Sequence, residues 1–517
     1  MNKFKDRLLA CFKGERTTSA ALTAVIIAMV IVVNVIIYAF GIVLYQPDFS
    51  DDLTISGATD SLFPEERILG KKVTVTFCQP YEDIQKSSSS IPRWVLSTAE
   101  QLSDRHPDFI EIRFVNIITK QVVSRNDSSD IGYIDLTKYI SHDESGNPLP
   151  IYKSSVIFEC GENFKVLTDN YTTAGYGDFF TLDSSGNAVA YNGEEVMASM
   201  ISSVLEDERK YAYFTTFHGE VADIGFRTML VCAGYEVATI NLREKEIPDD
   251  AGIVVISNPK NDFERAAAGS SVRTEIRTEI ERLESFLKRG GNLFVAIDPY
   301  AGKLPVLESF IADYGIKISS TERDGKFYRN IIRDSENALP GDYFTLFADF
   351  ADSGYGEAIE QTVSKYTESS VLLGSCAALE LEGRAQPLLN ASPSATAFAG
   401  KYEVDTNGGY CMSAVGTALD DSGKEAGKIT VVPSIYLTAT DVLVSGGYAN
   451  RDFLYSMMEC VYGDENIPYG CNIVFYSNDT LENLTVKEAR IYTAVILAIP
   501  TVLACGGAVV VIKRKNR

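Results

Sequence analysis

Between Tyr211 and Pro299 the chain alternates strongly apolar strands with helical patterns, and every strand stops at a polar turn. YAYFTTF runs into His218-Gly219-Glu220, GIVVIS into Asn258-Pro259-Lys260, and NLFVAI into Asp298-Pro299. A helical pattern ending at Cys232-Ala233-Gly234 follows the first strand, with Gly234 placed as a helix-terminating glycine. A second helix, Glu275 to Lys288, precedes the third strand. It turns Ile276, Ile280, Leu283 and Leu287 inward and ends at Gly290-Gly291. Strands that are apolar throughout need cover on both faces, so this pattern predicts a parallel sheet with helices on each side. Open sheets of that kind bind ligands beyond the carboxyl ends of their strands. His218, Glu220, Asn258 and Asp298 are therefore the candidate binding surface.

The two ends of the chain read as membrane spans. Residues 20–45 are 26 uncharged residues, and residues 491–512 are another 22. Each exceeds the roughly 20 residues that an α-helix needs to cross the hydrocarbon. The first run is longer than a signal-peptide core and no small-residue cleavage site follows it, which predicts a retained anchor. Basic residues flank both runs on their outer sides, in the tails 1–19 and 513–517. The positive-inside rule then places both termini in the cytoplasm and residues 46–490 outside the cell membrane.

The chain of 517 residues has a net charge of −23, and since both ends are basic the body between them is more acidic still. Such a body repels nucleic acid, which excludes nucleic-acid binding. Nine cysteines are scattered with no CxxC pair, and no HExxH motif occurs, so neither a zinc site nor a disulfide scaffold is expected. The turns lack GxGxxG and GxxxxGK[ST], which leaves phosphate without a glycine cradle. No cofactor and no metal are expected.

Residues 46–70 read as an acidic stalk. Residues 71–180 read as a small α/β domain of thioredoxin-like outline: a strand at VTVTFC, a helix from Trp94 to Leu102, a strand at FIEIRFV, and a hairpin at Val156–Leu167. Glu194 to Glu206 reads as a helix with one apolar stripe. Residues 191–485 read as the central α/β domain. Residues 354–485 fit either a third domain or a return to the central sheet; the return is preferred because KITVVPS reads as one more buried strand. The helix at Tyr448–Val461 is entered through Asn450, and Asn450-Arg451-Asp452 suits a helix entry or an exposed ion pair.

The order and spacing of several motifs resemble the gliding-motility auxiliary component of ABC-type transport systems, the GldG-like family. They are HGE at His218–Glu220, GYEV at Gly234–Val237, IPDDAGIVVISNPK at Ile247–Lys260, RGGNLFVAIDP at Arg289–Pro299 and ANRDF at Ala449–Phe453. The resemblance covers most of residues 65–517, including a terminal apolar run with a basic tail. It implies an extracytoplasmic partner of an ABC permease and a separate ATPase, with a central domain similar to glutamine amidotransferases but without their nucleophile. Phe217 stands where the resemblance leads one to expect glycine.

Three functions follow as expectations. The preferred one is a non-catalytic, membrane-anchored accessory subunit of an ABC-type export system, with His218, Glu220, Asn258, Asp298, Asn450 and Arg451 as its candidate binding surface. The second is an envelope hydrolase in which His218 and Glu220 activate a nucleophile or water. Against it, no GxSxG places a serine at an elbow, and the same residues serve equally well as helix caps and turn formers. The third is an extracytoplasmic solute-binding or sensor module.

Overall fold

The computed structural model describes residues 53–126, 129–140, 148–167, 177–182, 188–207, 210–221, 223–265, 277–339, 341–443 and 447–475. The chain divides into two compact units, Met1–Thr54 and Ile55–Arg517, and every element described here belongs to the second. The expected spans at 20–45 and 491–512 lie outside the described residues. Among the described residues, no helix is long and apolar enough to cross a membrane.

Residues Ile55 to Gly70, expected as a free stalk, pack onto the body. Leu62 and Phe63 are buried, and the Arg67 guanidinium bonds to the Ser202 hydroxyl at 2.9 Å and the Glu206 carboxylate at 2.5 Å. Six strands then form the first sheet: β1 (Val73–Phe77), β2 (Ile110–Asn116), β3 (Gln121–Val123), β4 (Asp130–Tyr133), β5 (Val156–Cys160) and β6 (Asn163–Leu167). Their spatial order is β4-β3-β2-β1-β5-β6. The helix Ile91–Arg105 joins β1 to its parallel neighbour β2, and Pro92 sits in its first turn, where a missing N–H costs nothing. β5 and β6 form the hairpin expected at this point in the chain.

Two short strands follow, β7 (Phe180–Leu182) and β8 (Ala188–Tyr191), and then the helix Gly193–Ser203. The central sheet begins with β9 (Lys210–Thr215), β10 (Tyr235–Ile240), β11 (Ala251–Ser257) and β12 (Asn292–Ala296). Between β12 and the next central strands the chain builds antiparallel structure from β13 (Ile316–Ile318), β14 (Ser320–Arg323), β15 (Lys326–Arg333), β16 (Ala338–Leu339), β17 (Asp342–Phe350), β18 (Val371–Gly374), β19 (Leu379–Leu381), β20 (Gln386–Asn390), β21 (Thr396–Ala399) and β22 (Tyr402–Asp405). It returns through β23 (Cys411–Leu419) to β24 (Glu425–Val432), which pairs in parallel with β12. β24 contains the KITVV segment, so the return to the central sheet is what the chain does.

The parallel half reads β10-β9-β11-β12-β24 across the sheet, and β23, β20, β17 and β16 continue it in antiparallel fashion. The fold is thus mixed α/β with both parallel and antiparallel pairing. β12 shows why both faces must be covered. Leu293 and Val295 join a buried cluster with Ile280, Leu283 and Leu287 of the helix Glu279–Lys288 and Phe310 of the helix Pro305–Ala312. Phe294 points the other way, its ring centroid 5.1 Å from that of Phe226 on the helix Ile224–Cys232. Gly427 lets β24 approach the end of the Glu279–Lys288 helix, since a Cβ there would meet the Gly291 carbonyl.

Candidate functional site

From β9 the chain moves to β10 on one side and then to β11 on the other. The strand order is therefore second-first-third-fourth-fifth, and the switch point lies between β9 and β11. The turns leaving those two strands are the His218 and Asn258 turns. Both carry a residue with left-handed backbone that is not glycine: Phe217 has φ 91° and Asn258 has φ 54°. Asparagine tolerates this region, but a phenylalanine there is strained and must be held by its surroundings.

His218 supplies the hold. Its carbonyl accepts the N–H groups of Lys260 at 2.7 Å and Asn261 at 2.9 Å, which ties the two turns together. Val221 N–H donates to the Ser257 carbonyl at 3.0 Å, and the Ser257 hydroxyl donates to the Val221 carbonyl at 2.8 Å. The His218 ring is fully buried and stacks on Phe263, with ring centroids 3.9 Å apart. Its Nδ1 lies 3.0 Å from Glu220 Oε1, and its Nε2 lies 3.0 Å from Glu279 Oε1. Burial alone would lower the His218 pKa. The hydrogen bonds to Glu220 and Glu279 outweigh it and push the pKa up to about 9. The bonds from His218 and from its own backbone N–H hold the Glu220 carboxyl below the usual range, against the opposing effect of burial.

Glu279 is the partner that sequence reasoning missed. It is 1% exposed and sits in the first turn of the Glu279–Lys288 helix, where the dipole favours a negative charge. A capping box between Thr278 and Glu281 fixes that turn, with Thr278 N–H donating to Glu281 at 2.7 Å. Glu279 also accepts the Glu264 N–H at 2.8 Å and lies 3.5 Å from Arg243 Nε. Arg243 in turn lies over the Phe217 ring, 4.5 Å from its centroid. The arrangement runs Glu220, His218, Glu279, Arg243, Phe217. The sequence pattern starts this helix at Glu275, whereas Thr278 caps it and Glu279 is its first residue; nothing in the sequence marked Glu279 as the buried counter-ion of a histidine in a distant turn.

Asp298, at the end of β12, bonds to Lys260 Nζ at 3.0 Å and accepts the Tyr300 N–H at 2.9 Å. His218, Glu220, Asn258 and Asp298 are thus brought to one edge, as expected. The loop after Asp298 is clamped from below by the buried Arg329. Its guanidinium donates to the carbonyls of Asp298, Ala301 and Gly302 and pairs with Glu308 at 2.6 Å. Asn450 and Arg451 belong elsewhere. Asn450 is fully buried and pairs with both backbone groups of Leu372 on β18, each at 2.8 Å. Arg451 lies 3.6 Å from the buried Glu195, which also accepts the Tyr455 hydroxyl at 2.7 Å. These two residues join the helix Asn450–Tyr462 to the body and contribute nothing to the His218 edge.

Chemically the edge is closed. Both imidazole nitrogens of His218 point at carboxylates, so the charged ring donates twice and keeps no lone pair for a substrate proton. Among the described residues, no hydroxyl or thiol hydrogen-bonds to it. The sharp turn after β11 is the sort of strained position that displays a nucleophile in α/β-hydrolases, yet here it holds the carboxamide of Asn258, which is 7% exposed. What the edge does display is apolar: Phe217 is 60% exposed, and Val221, Ile224 and Tyr300 are exposed beside it in sequence or on the neighbouring strand end. The seven cysteines of the described residues are free thiols.

No protein-family model matches the chain, and no curated protein does so significantly. Several solved structures are similar over about half of it. An IFT52 N-terminal domain is 14% identical over 48% of this chain and 96% of its own, with a TM-score of 0.34. A ThuA-like protein from Bacteroides uniformis is 12% identical over 51% of this chain and 96% of its own, with a TM-score of 0.29. The exo-β-1,4-mannosidase Op5Man5 from Opitutaceae bacterium strain TAV5 is 12% identical over 54% of this chain and 40% of its own, with a TM-score of 0.25. None of the three bears on what this chain does.

Proposed function

We propose that this chain is a non-catalytic, membrane-anchored accessory subunit of an ABC-type export system. In this reading residues 46–490 lie outside the cell membrane and the His218 edge docks onto the permease, while the ATPase is a separate chain. The smaller sheet is the thioredoxin-like part and the central sheet the amidotransferase-like part of the GldG-like pattern. The observation that carries the reading is the state of His218. A ring clamped as a cation between Glu220 and Glu279 is a poor base but a rigid support, and the turn it supports carries an exposed phenylalanine. A preorganised apolar side chain loses little freedom on binding, which suits a docking contact. The uncharged runs at 20–45 and 491–512 supply the anchors.

The test is extraction of the full chain from its native membrane in mild detergent after gentle crosslinking. The reading expects a multi-span permease and a P-loop ATPase in the same complex. Recovery of the chain by itself would count against it, and turnover of an envelope substrate lost in His218→Gln would favour the hydrolase instead.

A further inference from the structure

We infer that Glu194 is a latch holding the first and last described segments of the body to one another, so that loosening either end loosens the other. Glu194 lies in the first turn of the helix Gly193–Ser203 and is 3% exposed. Its Oε2 accepts two backbone N–H groups from opposite ends of the body, those of Ser56 and Asn472, each at 2.8 Å. Its Oε1 accepts the Ser56 hydroxyl at 2.7 Å. Two nitrogens bonded to one oxygen cannot lie farther apart than the two bonds laid end to end, although nearly the whole body separates them in sequence.

Each end is also secured on an element of its own. At the entry, Ile55 N–H donates to Gln101 Oε1 at 3.1 Å, and the Arg105 guanidinium donates to the carbonyls of Ile55 and Ser56. Gln101 and Arg105 both belong to the helix Ile91–Arg105. At the exit, β25 (Val474–Phe475) pairs with β8. Glu194 is the group that both ends share.

Sharing couples them. A buried carboxylate must have its charge met by donors. Here the donors are two N–H groups, one hydroxyl and the positive end of a helix. If Ser56 leaves, two of the bonds leave with it, and water competes for a carboxylate held by Asn472 N–H. Hydration then draws the side chain away from Asn472. Reciprocity requires that loosening the exit weaken the entry by the same free energy. The next residue, Glu195, holds the helix Asn450–Tyr462 through Tyr455 and Arg451, so the latch and that attachment share one helix start. Residues 46–55 and 473–490 separate the two latched positions from the uncharged runs at 20–45 and 491–512. In the anchored reading a pull on either run arrives at the same carboxylate, but the latch stands or falls apart from that reading.

Hydrogen exchange of the full chain in detergent, read by mass spectrometry, tests it. Glu194→Ala should quicken exchange at Ser56 and at Asn472 together, by about tenfold each. Arg105→Met disturbs the entry alone and should nevertheless quicken exchange at Asn472. In the Glu194→Ala background the same change should quicken the entry and leave Asn472 as it was. Exchange in β11 and β12 reports whether the body stays folded. Should Arg105→Met disturb those strands, Gln101→Leu is the milder entry variant, with the same pattern expected. The inference is overturned if Glu194→Ala frees one end only, if Asn472 ignores the entry variant, or if it responds equally with and without Glu194.

Discussion

If His218 is an imidazolium in the folded chain, folding must take up a proton above neutral pH. The ordinary histidine pKa of 6.5 rises to about 9 on folding. A folded-state pKa above the unfolded one contributes stability that is complete below pH 6.5 and lost as the pH climbs through about 9. At about 1.4 kcal/mol per pH unit the full contribution is ~3 kcal/mol, of which about 2.5 kcal/mol disappears between pH 7 and pH 9.5. That is an upper value, since buried charge pairs lose part of their attraction to desolvation. The assay is urea unfolding of the full chain in detergent, followed by circular dichroism at half-unit pH steps, for the wild type and for His218→Gln. The quantity of interest is the difference between the two, which cancels the titration of all other groups that the substitution leaves alone. It should shrink steeply across that window with unchanged denaturant slopes. A difference that stays flat would mean a neutral ring and would remove the reason for calling this site closed to base chemistry.

The other expectations concern the same edge and its supports. Phe217→Gly should be more stable than Phe217→Ala by roughly 1–2 kcal/mol, because both lose the contact with Arg243 but only alanine keeps the left-handed strain; thermal melts of the pair decide it, and equal melting would show the strain to be absent. Arg329→Met should destabilise by roughly 3–5 kcal/mol, leaving Glu308 and the carbonyls of the 298–302 loop unpaired. Amide exchange in that loop should quicken, and unchanged exchange would refute the clamp. Asn450→Leu should cost about 2–3 kcal/mol through the two stranded backbone groups of Leu372, while leaving the pH response of His218 as it was; a changed response would join Asn450 to the site after all.

β9, β11 and β12 were legible because each is an apolar run closed by a polar turn, and β24 was recognisable from KITVV for the same reason; β10 went unread, because Glu236 and Thr239 interrupt YEVATI. The gathering of His218, Asn258 and Asp298 at one edge followed from that pattern alone. The antiparallel insertion was not legible. In β15, KFYRNIIR mixes charge with apolar residues, and its partner β21 is more than 60 residues away, so its order comes from pairing rather than local preference. Residues 55–70 looked like a stalk because they are acidic and rich in glycine and proline; Leu62 and Phe63 nevertheless anchor them. Glu279 and Arg243 were invisible for a different reason. Their role depends on three strand ends and a helix start meeting in space, which no spacing along the chain encodes. Asn450 and Arg451 were placed on the candidate binding surface and also read as a helix entry; the helix does begin at Asn450, but that entry buries Asn450 against β18 and sets Arg451 against the buried Glu195.

A photo-crosslinking residue placed at position 217 in the full chain, activated in the native membrane, tests the docking edge most directly. A second probe at the exposed Asp324 turn is its control. The account predicts that the probe at 217 captures a multi-span permease, identified by mass spectrometry, whereas the probe at 324 does not. Capture of the same permease at both positions, or of none at 217, would contradict it.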